Sequence, residues 1–371
     1  MHKIDFKTIC LSAAVAATVM ATSPALAQTD DGQGYTRIQG RPVEEIEEAP
    51  VLGTEVLIDM REEMRRFVQS ISMFARKHRP NFLVIAQGGL DLLVKQDAIN
   101  EELVSAARTY IRSIDGVLVE GLFYGQRLFG QPPIPESQLV MLQRAEAAKR
   151  HGLKVFVMDF STDQTSIDDS YLRNAEMDYI SLAVQQHVAD IDTLPTYPER
   201  PINENPNSVV AINGIRNYAF IANSSPFGRA DQFALKMHDT NYDMIIVDVF
   251  HGRKPLSKRA VETLKFKKIG ARRLVLAYMD IGSAASYQYF WKANWREGSP
   301  GWINAPLRDD PDRYHVQYWR PGWQQVINGN TDSYLYGIIA QGFDGVVLGG
   351  VDTYKFFEGG EDGEELQEAA Q

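Results

Sequence analysis

Six acidic side chains fall at or just past the ends of short apolar runs, where they could do proton chemistry. Glu120 closes "GVLVE", Asp159 "VFVMD", Asp248 "IIVD" and Asp280 "LAYMD"; Asp91 follows "FLVIA" through "QGGLD", and Asp352 follows "GVVLGG". Two carboxyl groups brought together divide into an acid and a base or nucleophile when their surroundings push their pKa values apart. Glycosidic-bond cleavage needs such a pair. Each acid also has a structural alternative, since Asp at a strand end can cap the next helix, and Asp352 before "TYKFF" is well placed to do so. Asp115 in "IDG" and Asp344 in "FDG" precede their runs and are expected in turns at the opposite rim.

All five tryptophans, Trp291, Trp295, Trp302, Trp319 and Trp323, lie in one window with Tyr287, Tyr289, Tyr314 and Tyr318. Flat rings beside carboxylates suit the C–H faces of pyranoses, and long connections in compact domains are usually functional. The alternative is that the rings give an irregular loop its own small core. Trp291, Trp319 and Trp323, with Tyr278 beside the Asp280 strand end, are the substrate-binding candidates.

The elements that must position these groups alternate. Eight apolar runs, "FLVIA", "GVLVE", "KVFVMDF", "DYISLAV", "NYAFIAN", "MIIVDVF", "RLVLAYMD" and "GVVLGG", are separated by helical patterns such as "LIDMREEMRRFVQSISMFARKH", "INEELVSAARTYIRSI" and "SKRAVETLKFKKIG". Continuous Val/Ile/Leu runs fit parallel strands covered on both faces. Eight such units predict a single-domain (β/α)8 barrel, a TIM barrel, over residues 55–357, with an open doubly wound sheet as the rival. A barrel would gather the strand-end acids at one mouth. The Pro-rich segment 194–206 reads as a loop joining two halves of the barrel, and the basic run from Arg253 to Arg273 as a solvated helix face.

Residues 1–27 read as a signal peptide: Lys3 and Lys7, the apolar "ICLSAAVAATVMA", then "ALA" before Gln28, with cleavage expected after Ala27 and a secreted or periplasmic product. Residues 28–54 read as a flexible acidic leader and 358–371 as an acidic disordered tail. The single cysteine, Cys10, leaves with the signal, so disulfides and thiolate chemistry are excluded from the mature chain. Net charge is −10, and removing the signal makes it more negative, which argues against nucleic acid and anionic membranes as partners. His238 and His251 have no ligand-spaced companions, so neither metal nor cofactor is expected.

The segments "YDMIIVD", "LVLAYMDIGSAASYQYFW", "YHVQYWRPGWQQVI", "QGFDGVVLGGVDTYKFFE", "NFLVIAQGGLDLL" and "IDGVLVEGLFYG" resemble the exported α-1,4-polygalactosaminidase-type glycoside hydrolases, a barrel family once mislabelled as related to cysteinyl-tRNA synthetase. The order differs: the last two segments come first here, as in a circular permutation with new ends after "GGVDTY". The resemblance implies a (β/α)8 barrel and hydrolysis of a polysaccharide containing α-1,4-linked galactosamine. It places a catalytic acid on Asp91 and matches Glu120 and Tyr124 to a strand-end "ExLFY" pattern. It also marks two departures, Gly349 where the family has an aspartate and Ser283 where it has a glutamate. Asp248, Asp280 or Asp352 would then replace the missing partner, and Gly349 would widen the mouth for a sugar. Two other readings compete: a non-catalytic polysaccharide-binding barrel, and a phosphate cradle at Gly349–Gly350.

Overall fold

The computed structural model describes residues 58–96, 104–188 and 191–359. The signal peptide, the leader and the tail beyond Gly359 lie outside the described residues. The eight apolar runs form eight parallel strands: β1 Leu83–Gln87, β2 Gly116–Glu120, β3 Lys154–Phe160, β4 Ile180–Val184, β5 Tyr218–Ile221, β6 Met244–Asp248, β7 Leu274–Asp280 and β8 Gly345–Gly349. Their spatial order is β4-β3-β2-β1-β8-β7-β6-β5, so the sheet curls until β8 pairs with β1, from Leu83↔Gly345 to Ala86↔Leu348. β4 and β5 pack together, but among the described residues no ladder joins them. The result is a nearly closed α/β barrel.

Because side chains alternate across a strand, each run supplies two cores. Ile85, Leu118, Met158, Phe220, Leu276 and Val347 fill the barrel. Val84, Val117, Val157, Ile245, Val275 and Val346 face the surrounding helices. Those helices are α1 Met60–His78, α2 Arg108–Ser113, α3 Pro135–Arg150, α4 Gln164–Glu176, α5 Ala230–His238, α6 Lys258–Leu264, α7 Pro321–Ile327, α8 Tyr334–Gln341 and the short α9 Tyr354–Phe357. Asp59, Asp163, Ser257 and Ser333 cap α1, α4, α6 and α8 through side-chain oxygens. Among the described residues no helix is long and apolar enough to cross a membrane.

At the N-terminal rim three aspartates each tie down a neighbouring strand or the segment leading into it. Asp115 accepts from the Val84 amide (2.8 Å), Asp344 from Val275 (3.1 Å) and Asp243 from Arg216 (2.8 Å). Each also meets cations: Arg76 for Asp115, Arg79 and Lys265 for Asp344, Lys267 for Asp243. The basic run is therefore more than a solvated face. Lys265, Lys267 and Arg273 are buried (4%, 0% and 1% exposed), drawn in by carboxylates and by backbone carbonyls of neighbouring segments. The helix expected over "INEELVSAARTYIRSI" is also shorter. Val104–Ala106 pairs antiparallel with Val94–Gln96, and that pairing overrides the local helical pattern. Glu358, assigned to the tail, instead belongs to the body through a 3.1 Å ion pair with Arg61.

Candidate functional site

The alternation that builds the cores also decides which strand-end acids face inward. Gln87, Glu120, Asp248, Asp280 and Gly349 are in phase with the barrel interior and form the upper rim. Asp159 is out of phase. It is buried beneath α4, accepting from the Phe123 and Tyr124 amides, Ser170 and Asn174, and so is structural.

Two clefts open at this mouth. The first, about 610 Å3, is bordered by Glu120, Asp91, Asp352 and Glu136, with Arg144 and Lys355 among them. Glu120 is deeply set and accepts from the Gln87 amide. Burial pushes its carboxyl up to about 7, against the pull of that hydrogen bond and with help from the Asp352 charge. Asp352 does not cap a helix with its side chain. It accepts from the Gly89 amide (3.0 Å) and pairs with Lys355 (3.1 Å). Gly88 has φ +73°, and a Cβ there would collide with the Asp352 carboxylate. Glycine is thus required for Asp352 to reach across. Asp91 pairs with Arg144 at 3.3 Å.

The second cleft, about 510 Å3, is bordered by Asp248, Arg313, Tyr287, Tyr289 and Tyr334. Burial raises the Asp248 carboxyl to about 6, although the Phe250 amide (2.9 Å) and the Arg313 charge oppose the rise. Arg313 arrives from the strand Arg313–Val316 of a small antiparallel sheet with Ser283–Ala285 and Ile303–Pro306, inserted between β7 and β8. It donates to Ser283 Oγ (3.0 Å) and Tyr287 Oη (2.8 Å), and it pairs with Asp280 and Asp310, each at 3.4 Å.

Asp280 is committed to its own turn. It accepts from the Gly282 and Ser283 amides and from Ser283 Oγ, at 2.8–2.9 Å. Ser283, the first residue of its strand, is thereby bonded between Asp280 and Arg313, and it is buried (3% exposed).

Gly349 does not widen the mouth. The space beside it is filled by the Tyr278 phenol, whose Cε2 lies 2.9 Å from where a Cβ would stand, with the hydroxyl closer still. Burial, and then the charges of Asp280 and Glu120, hold that hydroxyl protonated, well above the usual phenol range. Glu120, Asp248, Asp280 and Arg313 all act electrostatically on it, so charges from both clefts are felt at Tyr278. At Gly350 the Asp280 carboxylate and Gly282 amide crowd the chain, and a carboxylate in that place repels the anion of a phosphate cradle.

The indoles mostly pack on one another. Trp291–Trp295 (5.6 Å), Trp295–Trp302 (4.9 Å) and Trp302–Trp323 (5.1 Å) make a continuous cluster that gives the inserted segment its own core. Trp323, proposed above as a sugar contact, is fully buried and donates to the Ile281 carbonyl (2.9 Å). Trp291 stacks on Tyr314, and Trp319 packs edge-on to Phe357. Tyr124 donates to Asp169 (2.8 Å) and borders neither cleft. Gln87, Arg144, Arg313 and Tyr334 were not anticipated as site residues, and Tyr289 was named only as one ring of the aromatic window. Strand alternation alone could have found Gln87, whereas Arg313 comes from an insertion that no period marks.

No protein-family model matches the chain. An uncharacterized protein of Deinococcus radiodurans is 31% identical over 122 residues, which is 32% of this chain and 36% of that one. One of Methanocaldococcus jannaschii is 33% identical over 120 residues, 32% and 33% of the two chains. One of Thermotoga maritima is 25% identical over 123 residues, 33% and 36%. The match thus spans about a third of each relative's length.

Proposed function

We propose that the protein is an exported glycoside hydrolase-like barrel acting on a polysaccharide, with its acid–base pair in the first cleft. The observation that carries this reading is Glu120, a carboxyl raised to about 7 that borders an open cleft together with Asp91 and Asp352. A carboxyl that keeps its proton near neutrality can give it to a glycosidic oxygen, and a second carboxylate can take one from water. Glu120 is the general acid in this scheme. Asp352, whose charge Glu120 feels, is the base, and Asp91 orients the sugar beside Arg144. The resemblance noted above points to a polymer containing α-1,4-linked galactosamine. The permuted chain order is what the resemblance suggests; α1 precedes β1 and packs against α2 and α8.

Release of reducing ends from such a polymer, abolished in Glu120→Gln and strongly reduced in Asp91→Asn, is the expected result. No release across a broad panel of glycans would overturn the hydrolase. A second reading, a glycan-binding barrel without turnover, is favoured by the phenol in place of a carboxylate at Gly349 and by the commitment of Asp280 to its turn. Glycan affinity with no release in the wild type would select it.

A further inference from the structure

We infer that the second cleft is a sugar-holding subsite, separate from the acid–base cleft, that seats one neutral pyranose ring on Tyr289 and ties its hydroxyls to Asp248 and Tyr334. The inference rests on the polysaccharide reading above and specifies where a second unit of the chain is held.

Tyr334 is 6% exposed and borders the cleft, and its hydroxyl makes no hydrogen bond among the described residues. Buried phenols ordinarily find a partner, so an unbonded one at a cleft wall marks a place for a ligand oxygen. Asp248 spends one oxygen on the Phe250 amide and keeps acceptor sites toward the same space. Tyr289 supplies the platform. It is 53% exposed and held by Phe250 stacked at 5.3 Å and by Tyr334 edge-on at 5.4 Å, so a flat ring face is presented with little freedom to lose.

Charge selects a neutral ring. Arg313 is already answered by Asp280 and Asp310, and the remaining wall charges, Asp248 and Arg253, are one of each sign. An amine therefore meets Arg253 and a uronate meets Asp248, each a like charge, with no net excess of the opposite sign to hold it. A hydroxyl pair, which both donates and accepts, satisfies the carboxyl and the phenol together. An amine-bearing unit belongs instead in the first cleft, where Asp91, Asp352 and Glu136 outnumber Arg144 and Lys355. Tyr289 and Phe290 also border a groove of about 520 Å3 leading to Trp295 and Trp302, which gives the chain a way out.

The test is calorimetric titration of the mature protein with tetramers of glucose and galactose in α-1,4 and β-1,4 linkage, beside tetramers of glucosamine and of galacturonate. A neutral tetramer should bind. Its affinity should fall about tenfold in Tyr289→Leu and in Asp248→Asn, the equivalent of one lost stacking or hydrogen-bonded contact. Tyr334→Phe, which keeps the packed ring, should lose about threefold or more. Tyr124→Phe, at a residue that borders neither cleft, should keep the affinity. Unchanged affinity in all three cleft variants overturns the inference, as does tighter binding of the amine or uronate tetramer through the same residues, or no neutral binding by the wild type. Binding that follows these variants, with no release of reducing ends across the glycan panel above, supports the subsite and strikes the hydrolase alone.

Discussion

The Tyr278 phenol occupies the space that any side chain at Gly349 would need. The two residues lie on neighbouring strands, with Tyr278 opposite Val347 and Asp280 opposite Gly349, and all of these point into the barrel or its rim. One ring from β7 thus substitutes for a side chain on β8. Overpacking a filled site typically costs about 1–3 kcal/mol. Gly349→Ala should lose stability on that scale in urea melts. Part of the loss should disappear in a Tyr278→Phe background, with a coupling of roughly 0.5 kcal/mol or more. Additive effects would mean that the two residues do not share the space.

Glu120 makes stability fall with rising pH. Its folded-state pKa of about 7 lies above the ordinary 4.5, so the folded protein holds an extra proton between those values. The contribution is fully present below 4.5 and is lost as pH rises through 7, to a limit of about 3 kcal/mol. Relative to wild type, Glu120→Gln should therefore gain stability between pH 4.5 and pH 8, read as a difference in unfolding free energy at the two pH values. If the hydrolase reading holds, the alkaline limb of its rate profile should fall near 7.

Asp243 and Lys267 form an ion pair with both side chains at 0% exposure. Removing one partner strands a buried charge, which costs about 3–5 kcal/mol. Lys267→Met should lose that much in chemical denaturation, and replacing Asp243 with Asn in the same chain should recover a substantial part. A loss below about 1 kcal/mol would show that water reaches the pair.

Trp323 separates packing from binding. Trp323→Phe removes a buried N–H donor from the Ile281 carbonyl and should cost roughly 1–3 kcal/mol. Glycan affinity should stay within about twofold of wild type, the size of a change that removes no direct contact. A large drop in affinity in a protein of unchanged stability would return Trp323 to the sugar site.

The eight strands were legible because each barrel strand is buried on both faces and so reads as an unbroken apolar run. "GVLVE" and β2 coincide at Gly116–Glu120. Convergence of Glu120, Asp248 and Asp280 followed from strand ends meeting at one mouth, and counting two residues at a time would also have excluded Asp159. Other features depend on contacts between distant parts of the chain. Whether Lys267 meets water or Asp243 is set by the barrel's lower rim, some 24 residues away in sequence. The indoles read as sugar platforms because composition shows the rings and cannot show that Trp323 lies under Trp302 and Phe290. Gly349 read as an opening because Tyr278, far off in sequence, fills it.

The break in the ring lies between β4 and β5, opposite the ladder that joins β8 to β1. The first and last barrel strands are therefore knit through continuous backbone pairing, and the weakest join falls midway along the polypeptide. Thermal opening of the structure would begin at that midpoint, leaving the strands nearest the two ends of the chain clasped until late.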